Sequence, residues 1–133
     1  MKVLIVEPDW RFAEQAGKFL ESRAHLVAHE SRAGATLDRV RRWQPELVIL
    51  AAEIALKDDI LDSLSRLPSR PAVLLTERLD RFDRAWRAWQ KGGDELLIKP
   101  VLCGDDLHNA IVSARENATV GAWRDRVPAR AAS

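Results

Sequence analysis

The chain has 133 residues, 47% of them hydrophobic, and a formal net charge of +1. That is enough for one domain with a real core and too few for two ordinary ones, and so balanced a charge gives no global pull toward nucleic acid or anionic lipid. The single cysteine, Cys103, excludes an internal disulfide and fits a reducing, cytoplasmic setting, and no charged start followed by a long apolar run suggests a signal peptide or a membrane span.

Short apolar runs alternate with longer amphipathic stretches. Residues 3–6 are all apolar, as a strand buried on both faces should be. Asp9 is placed to cap a helix whose stripe is Phe12, Ala16, Phe19 and Leu20. Residues 25–29 read as a second strand. Ser31 then offers a cap to a helix carrying Ala35, Leu37, Val40 and Trp43, which Pro45 stops. Leu47–Ala51 is the third strand. After a loop, Asp58 or Asp59 opens a helix with Ile60, Leu61, Leu64 and Leu67, ended by Pro68 and Pro71. Residues 72–75 form strand four. Leu79, Phe82, Trp86 and Trp89 follow at helical spacing until Gly92-Gly93. Residues 96–98 are strand five, and 105 to about 118 the last helix, with Leu107, Ile111 and Val112 facing inward.

Five strands alternating with five helices predict an α/β fold, a doubly wound five-stranded parallel sheet. The expected domain is 1–118. Residues 119–133, rich in Ala, Arg, Pro and Ser, read as a tail or linker.

Ligands of such sheets bind beyond the carboxyl ends of the strands. There this chain places Glu7 after strand one, Ala51 at the end of strand three, Thr76 after strand four and Lys99-Pro100 after strand five. This set resembles the receiver domain of bacterial response regulators, with the strand order 2-1-3-4-5. The resemblance implies a phosphorylation pocket with two acids after strand one, an aspartate acceptor after strand three, a Ser/Thr and a Lys. Carried over position by position, Glu7 matches the first acid, Thr76 the hydroxyl and Lys99 the lysine, with Pro100 the proline that follows a cis peptide bond. Pro8 stands where the second, metal-holding acid belongs, and Asp9 comes one residue late. Ala51 stands where the acceptor belongs, and a methyl group cannot be phosphorylated. Leu96 replaces the usual aromatic switch residue, and Asp59 a usual glycine.

The expected pocket is therefore degenerate: Glu7, Pro8, Asp9, Ala51, Thr76 and Lys99, with no catalytic residue, no metal and no cofactor. Lys99 is free to pair with Glu7. Glu53, two residues beyond Ala51, is a distant substitute acceptor, with a solvated acid as its ordinary reading.

The helix before Gly92 carries the candidate docking residues Arg84, Trp86 and Arg87. Indoles beside arginines have the composition of an interface hot spot. The competing reading puts both tryptophans in the core, along the Leu79/Phe82 stripe, and ties the arginines into the i, i+4 pairs Asp80–Arg84 and Asp83–Arg87. In receivers this helix, strand five and the last helix form the surface partners read.

The resemblance implies an atypical, phosphorylation-independent receiver acting by protein–protein interaction in a bacterial signalling pathway, with homodimerisation open. The alternative is a small flavodoxin-like cofactor-binding protein or enzyme. The strand-one turn Glu7-Pro8-Asp9-Trp10 lacks the glycines or hydroxyls of a phosphate cradle. Nucleic-acid binding would rest on Arg124, Arg126 and Arg130, offset by Asp125, a weak electrostatic footprint.

Overall fold

The computed structural model describes residues 1–57, 59–101 and 103–120. The tail arginines and Asp58 lie outside them.

Five strands, β1 (Lys2–Val6), β2 (Leu26–Glu30), β3 (Leu47–Ala51), β4 (Ala72–Arg78) and β5 (Glu95–Lys99), form one parallel sheet in the order β2-β1-β3-β4-β5. Successive side chains of a strand point to opposite faces, and here they feed two cores. Val3, Ile5, Leu47, Ile49 and Leu74 pack under α1 (Trp10–Ser22) and α6 (Gly104–Val120). Leu4, Val6, Val48, Leu50 and Leu75 pack under α2 (Ala33–Trp43), α3 (Ala52–Ala55), α4 (Ile60–Ser65) and α5 (Phe82–Lys91). The continuous apolar runs of β1, β3 and β4 are what a strand needs when both faces are covered. Each fully buried Leu or Ile contributes on the order of 1.5–3 kcal/mol.

Local signals set the helix ends. Asp9 caps α1 by accepting from the Phe12 amide at 3.3 Å. Gln44, at φ 53°, turns the chain out of α2 just ahead of Pro45. Gly93 leaves α5 at φ 91°, where an added Cβ would lie 2.7 Å from Leu75. Gly104 opens α6 against the Phe19 ring, and a Cβ there would lie 2.1 Å from Phe19 Cε1.

Five expectations need correction. No loop follows β3: the chain enters the short helix α3 at once, with Ala51 as its N-cap, and Glu53 sits in the first turn. Asp59 precedes α4 at φ 51° but its side chain makes no capping bond. That left-handed backbone favours glycine and is tolerated by Asp. Ser31 caps nothing; α2 begins after Arg32, and Glu30 accepts the Ser31 and Arg32 amides at 3.1 Å instead. Strand β4 runs on through Glu77 and Arg78. Val112 faces outward, and Ala114 takes its place in the core.

The Leu79/Phe82 stripe is also not core. Leu79, in a single 3-10 turn before α5, is 70% exposed, and Phe82 is 48% exposed. The inward stripe of α5 is Ala85 and Ala88, with half-buried Trp89 packed on the core beside them.

Candidate functional site

The carboxyl ends of β1, β3, β4 and β5 meet at one edge. Ala51 pairs in register with Thr76, so the methyl lies beside the hydroxyl-bearing residue. Glu7, the first residue past β1, has a fully buried side chain, and every bond around it is local to this edge. Its Oε2 accepts from Thr76 Oγ1 at 2.8 Å and from Lys99 Nζ at 3.1 Å, and its Oε1 accepts from the Asp9 amide at 3.1 Å. Lys99 Nζ also lies 3.5 Å from Asp9 Oδ2 and 5.2 Å from the centre of the Phe12 ring. The Lys99-Pro100 peptide is cis.

A buried charge is costly unless paired and hydrogen-bonded, and here each charge has its partner. Glu7 thus brings Thr76 and Lys99 together from strands β4 and β5, while Ala51 adds only apolar surface. Pro8 is exposed and has no side-chain oxygen to offer.

A divalent cation of the Mg²⁺ type would need oxygen ligands with lone pairs to spare in near-octahedral array. These residues do not fit one. Glu7 is engaged by three donors, Asp9 Oδ1 is used on the helix cap, and positions 8 and 51 carry no oxygen beyond the backbone. Among the described residues no group of three His, Cys, Asp or Glu comes together as a metal site. Glu53, on α3, is partly buried and has no part in the Glu7 cluster.

One residue escaped the sequence reading. Glu77 is buried one position past Thr76 and is gripped by Arg84, whose Nε bonds Oε2 and whose Nη2 lies 3.0 Å from Oε1. Burial alone would push its carboxyl up. The hydrogen bonds from Arg84 and the Arg78 amide, with the charges of Arg84 and Lys99, outweigh burial and hold it below the usual carboxylate range. The same pair raises the Arg84 guanidinium. The only sequence signal was the alternation itself: one residue beyond Thr76 lies on the face that α5 covers.

Arg84 is therefore turned inward, anchoring the start of α5 to β4. The i, i+4 pairs do not form; Asp80 bonds Arg78 at 2.9 Å and Asp83 bonds Arg81 at 3.4 Å. On the outside of α5 stand Phe82, Arg87 and Trp86, the last 37% exposed and stacked on Trp89 with ring centres 5.5 Å apart.

This topology has structural counterparts. The signal receiver domain of a Luxo repressor protein from Vibrio parahaemolyticus superposes with a TM-score of 0.71 at 22% identity, covering 93% of this chain and 96% of that one. The receiver domain of NtrX from Brucella abortus gives 0.73 at 19% identity, covering 86% and 98%. A response regulator receiver domain from Bermanella marisrubri gives 0.72 at 21% identity, covering 85% and 96%. The fold is that of a receiver domain. A longer NtrX chain, solved with ADP, matches 99% of this chain, which spans 30% of its length. No family model matches the sequence, and no curated protein matches it. Among the described residues no helix is long and apolar enough to cross a membrane.

Proposed function

We propose that this chain is a receiver domain that signals without phosphoryl transfer, as a module that docks protein partners. The observation that carries the reading is the paired cluster around Glu7, with Ala51 in register beside Thr76. The hydroxyl and amine that would meet a transferred phosphoryl group are already bonded to Glu7. Phosphoryl transfer to a carboxylate needs a nucleophile at that centre and charge stabilisation for the moving oxygens. Here the nucleophile's place holds a methyl, and the stabilising cation is neutralised. The reading makes the domain a non-enzymatic, cytoplasmic component of a bacterial signalling pathway, with self-association as one mode of docking. Its working face is the outer side of α5 and the turn before it, where Leu79, Phe82 and Trp86 stand exposed with Arg87.

Incubation with acetyl phosphate and Mg²⁺, followed by intact-mass spectrometry, tests this directly. The expected mass is unchanged. Ala51→Asp alone stays unlabelled or labels slowly, and Pro8→Asp is also needed for a clear signal. A stoichiometric gain of one phosphate on the wild-type chain, mapped to Glu53 or Asp9, refutes the reading.

A further inference from the structure

We propose that the cleft between α1 and α6, at the opposite end of the sheet from Lys99, binds a small organic carboxylate with an apolar body. The cleft has a volume of about 310 Å³. That is at the small end of the range for small-molecule sites. Its floor is apolar: Leu20 and Ile111 are buried, Phe19 is half-buried, and Val112 is the outward-facing residue that α6 leaves uncovered.

The rim carries two arginines and two histidines. Arg23 comes from the end of α1, and Arg115 and His108 lie on α6, with His25 at the mouth of β2. Arg23 lies over the Phe19 ring at 5.0 Å, so its guanidinium is held at the edge of the floor. Neither Arg23 nor Arg115 has an ion-pair partner among the described residues. The one acid in the lining, Glu116, is exposed and adjacent to Arg115 along the helix. Neighbours at i, i+1 do not face each other, so it does not serve as that arginine's counter-ion.

His25 stands among the same groups at the mouth of the cleft. Its Nδ1 lies 2.9 Å from the Met1 amino nitrogen. Burial first, and then the charges of that terminus, Arg115 and His108, lower its pKa; Glu46 alone pulls the other way. An anion seated in the rim would supply the missing negative charge. A carboxylate suits it, because the guanidinium fork matches two coplanar oxygens. The floor rewards an apolar body on that head, since Val112 and Phe19 are left open to water without one.

Octanoate is the probe. Titrated into the full chain and followed by ¹H–¹⁵N NMR, it should give saturable shifts centred on Phe19, Arg23, His25, His108 and Arg115. Acetate, the head alone, and 1-octanol, the body alone, should each bind at least tenfold more weakly. Arg23→Gln with Arg115→Gln should weaken octanoate at least tenfold while leaving the thermal midpoint within a degree or two. His108→Glu, a single exposed change that places an acid on the rim, should do the same and keeps the test sound if the double variant is poorly folded. The proposal is overturned if octanoate gives no saturable shift, if 1-octanol matches it, if acetate matches it, or if His108→Glu binds like wild type.

Discussion

The two ends of the path from β4 to α5 are opposites. At Thr76 the polar groups are buried and paired: the Glu7 carboxylate accepts from both Thr76 and Lys99. Only a few residues later, from the 3-10 turn into the outer face of α5, the large side chains are apolar and in solvent: Leu79, Phe82 and Trp86. Between them, Arg84 on Glu77 ties the second region to the first. The contrast teaches where each region spends its chemistry. A closed polar cluster is a structural clamp, whereas an open apolar face retains its hydration cost until something covers it.

The sharpest way to break the comparison is to open the clamp. Lys99→Met strands the Glu7 carboxylate in the interior and should lower stability by about 3–5 kcal/mol in urea unfolding. Glu7→Gln with Lys99→Met should recover at least half of that, since the amide oxygen still accepts from Thr76. If Lys99→Met lies within about 1 kcal/mol of wild type, the cluster is not a clamp. Arg84→Ala comes next, at about 2 kcal/mol, the scale of a charge-assisted hydrogen bond. Its sign with pH follows from Glu77. A carboxyl held below its ordinary value of 4.5 contributes stability above that pH and loses it as pH falls through the lower folded value. The gap between wild type and Arg84→Ala should therefore be full at pH 7 and shrink below about pH 4.5. A gap independent of pH between 7 and 3 contradicts it.

The open face is sharpened by weaker effects. Trp86→Ala or Arg87→Glu should weaken partner binding or self-association at least tenfold, about 1.4 kcal/mol, with far-UV circular dichroism unchanged for Arg87→Glu. Trp89→Ala should mainly lower stability, because that ring packs on the core. If the Trp86 and Arg87 variants bind like wild type while changes near Thr76 and Lys99 abolish binding, the partner reads the closed edge. The smallest effect is none at all: Mg²⁺ up to a few millimolar should leave the NMR signals of Glu7, Ala51 and Lys99 in place, and a saturable shift there would show a metal site the donor set argues against.

The sheet was legible because its strands are apolar on both faces, so β1, β3 and β4 stand out without any periodicity. The edge was legible because parallel strands present their carboxyl ends together, which places Glu7, Ala51, Thr76 and Lys99 side by side once the order is known. What stayed hidden has a common cause: periodicity marks a stripe but not which side faces in. Leu79, Phe82 and Trp86 have helical spacing, yet the small residues Ala85 and Ala88 allow α5 to approach the sheet, and the large ones are left outside. The short α3 has no capping side chain and too few residues to show a period. Glu77 drew no reading because strand four was placed at residues 72–75; its partner is Arg84, seven residues away and brought to it by the turn between β4 and α5.

The contact between Gly104 and the Phe19 ring has a mechanical consequence. Helix α6 rests on α1 through the absence of a methyl group at its first residue, and it is 17 residues long. At a rise of 1.5 Å per residue it is a rod of roughly 25 Å. A carbon at position 104 would meet the Phe19 ring at 2.1 Å, so that ring must turn aside or the first turn of α6 must lift away from α1, while the rest of the rod stays seated on β4 and β5. The close approach of α1 and the start of α6 thus turns on a single hydrogen atom.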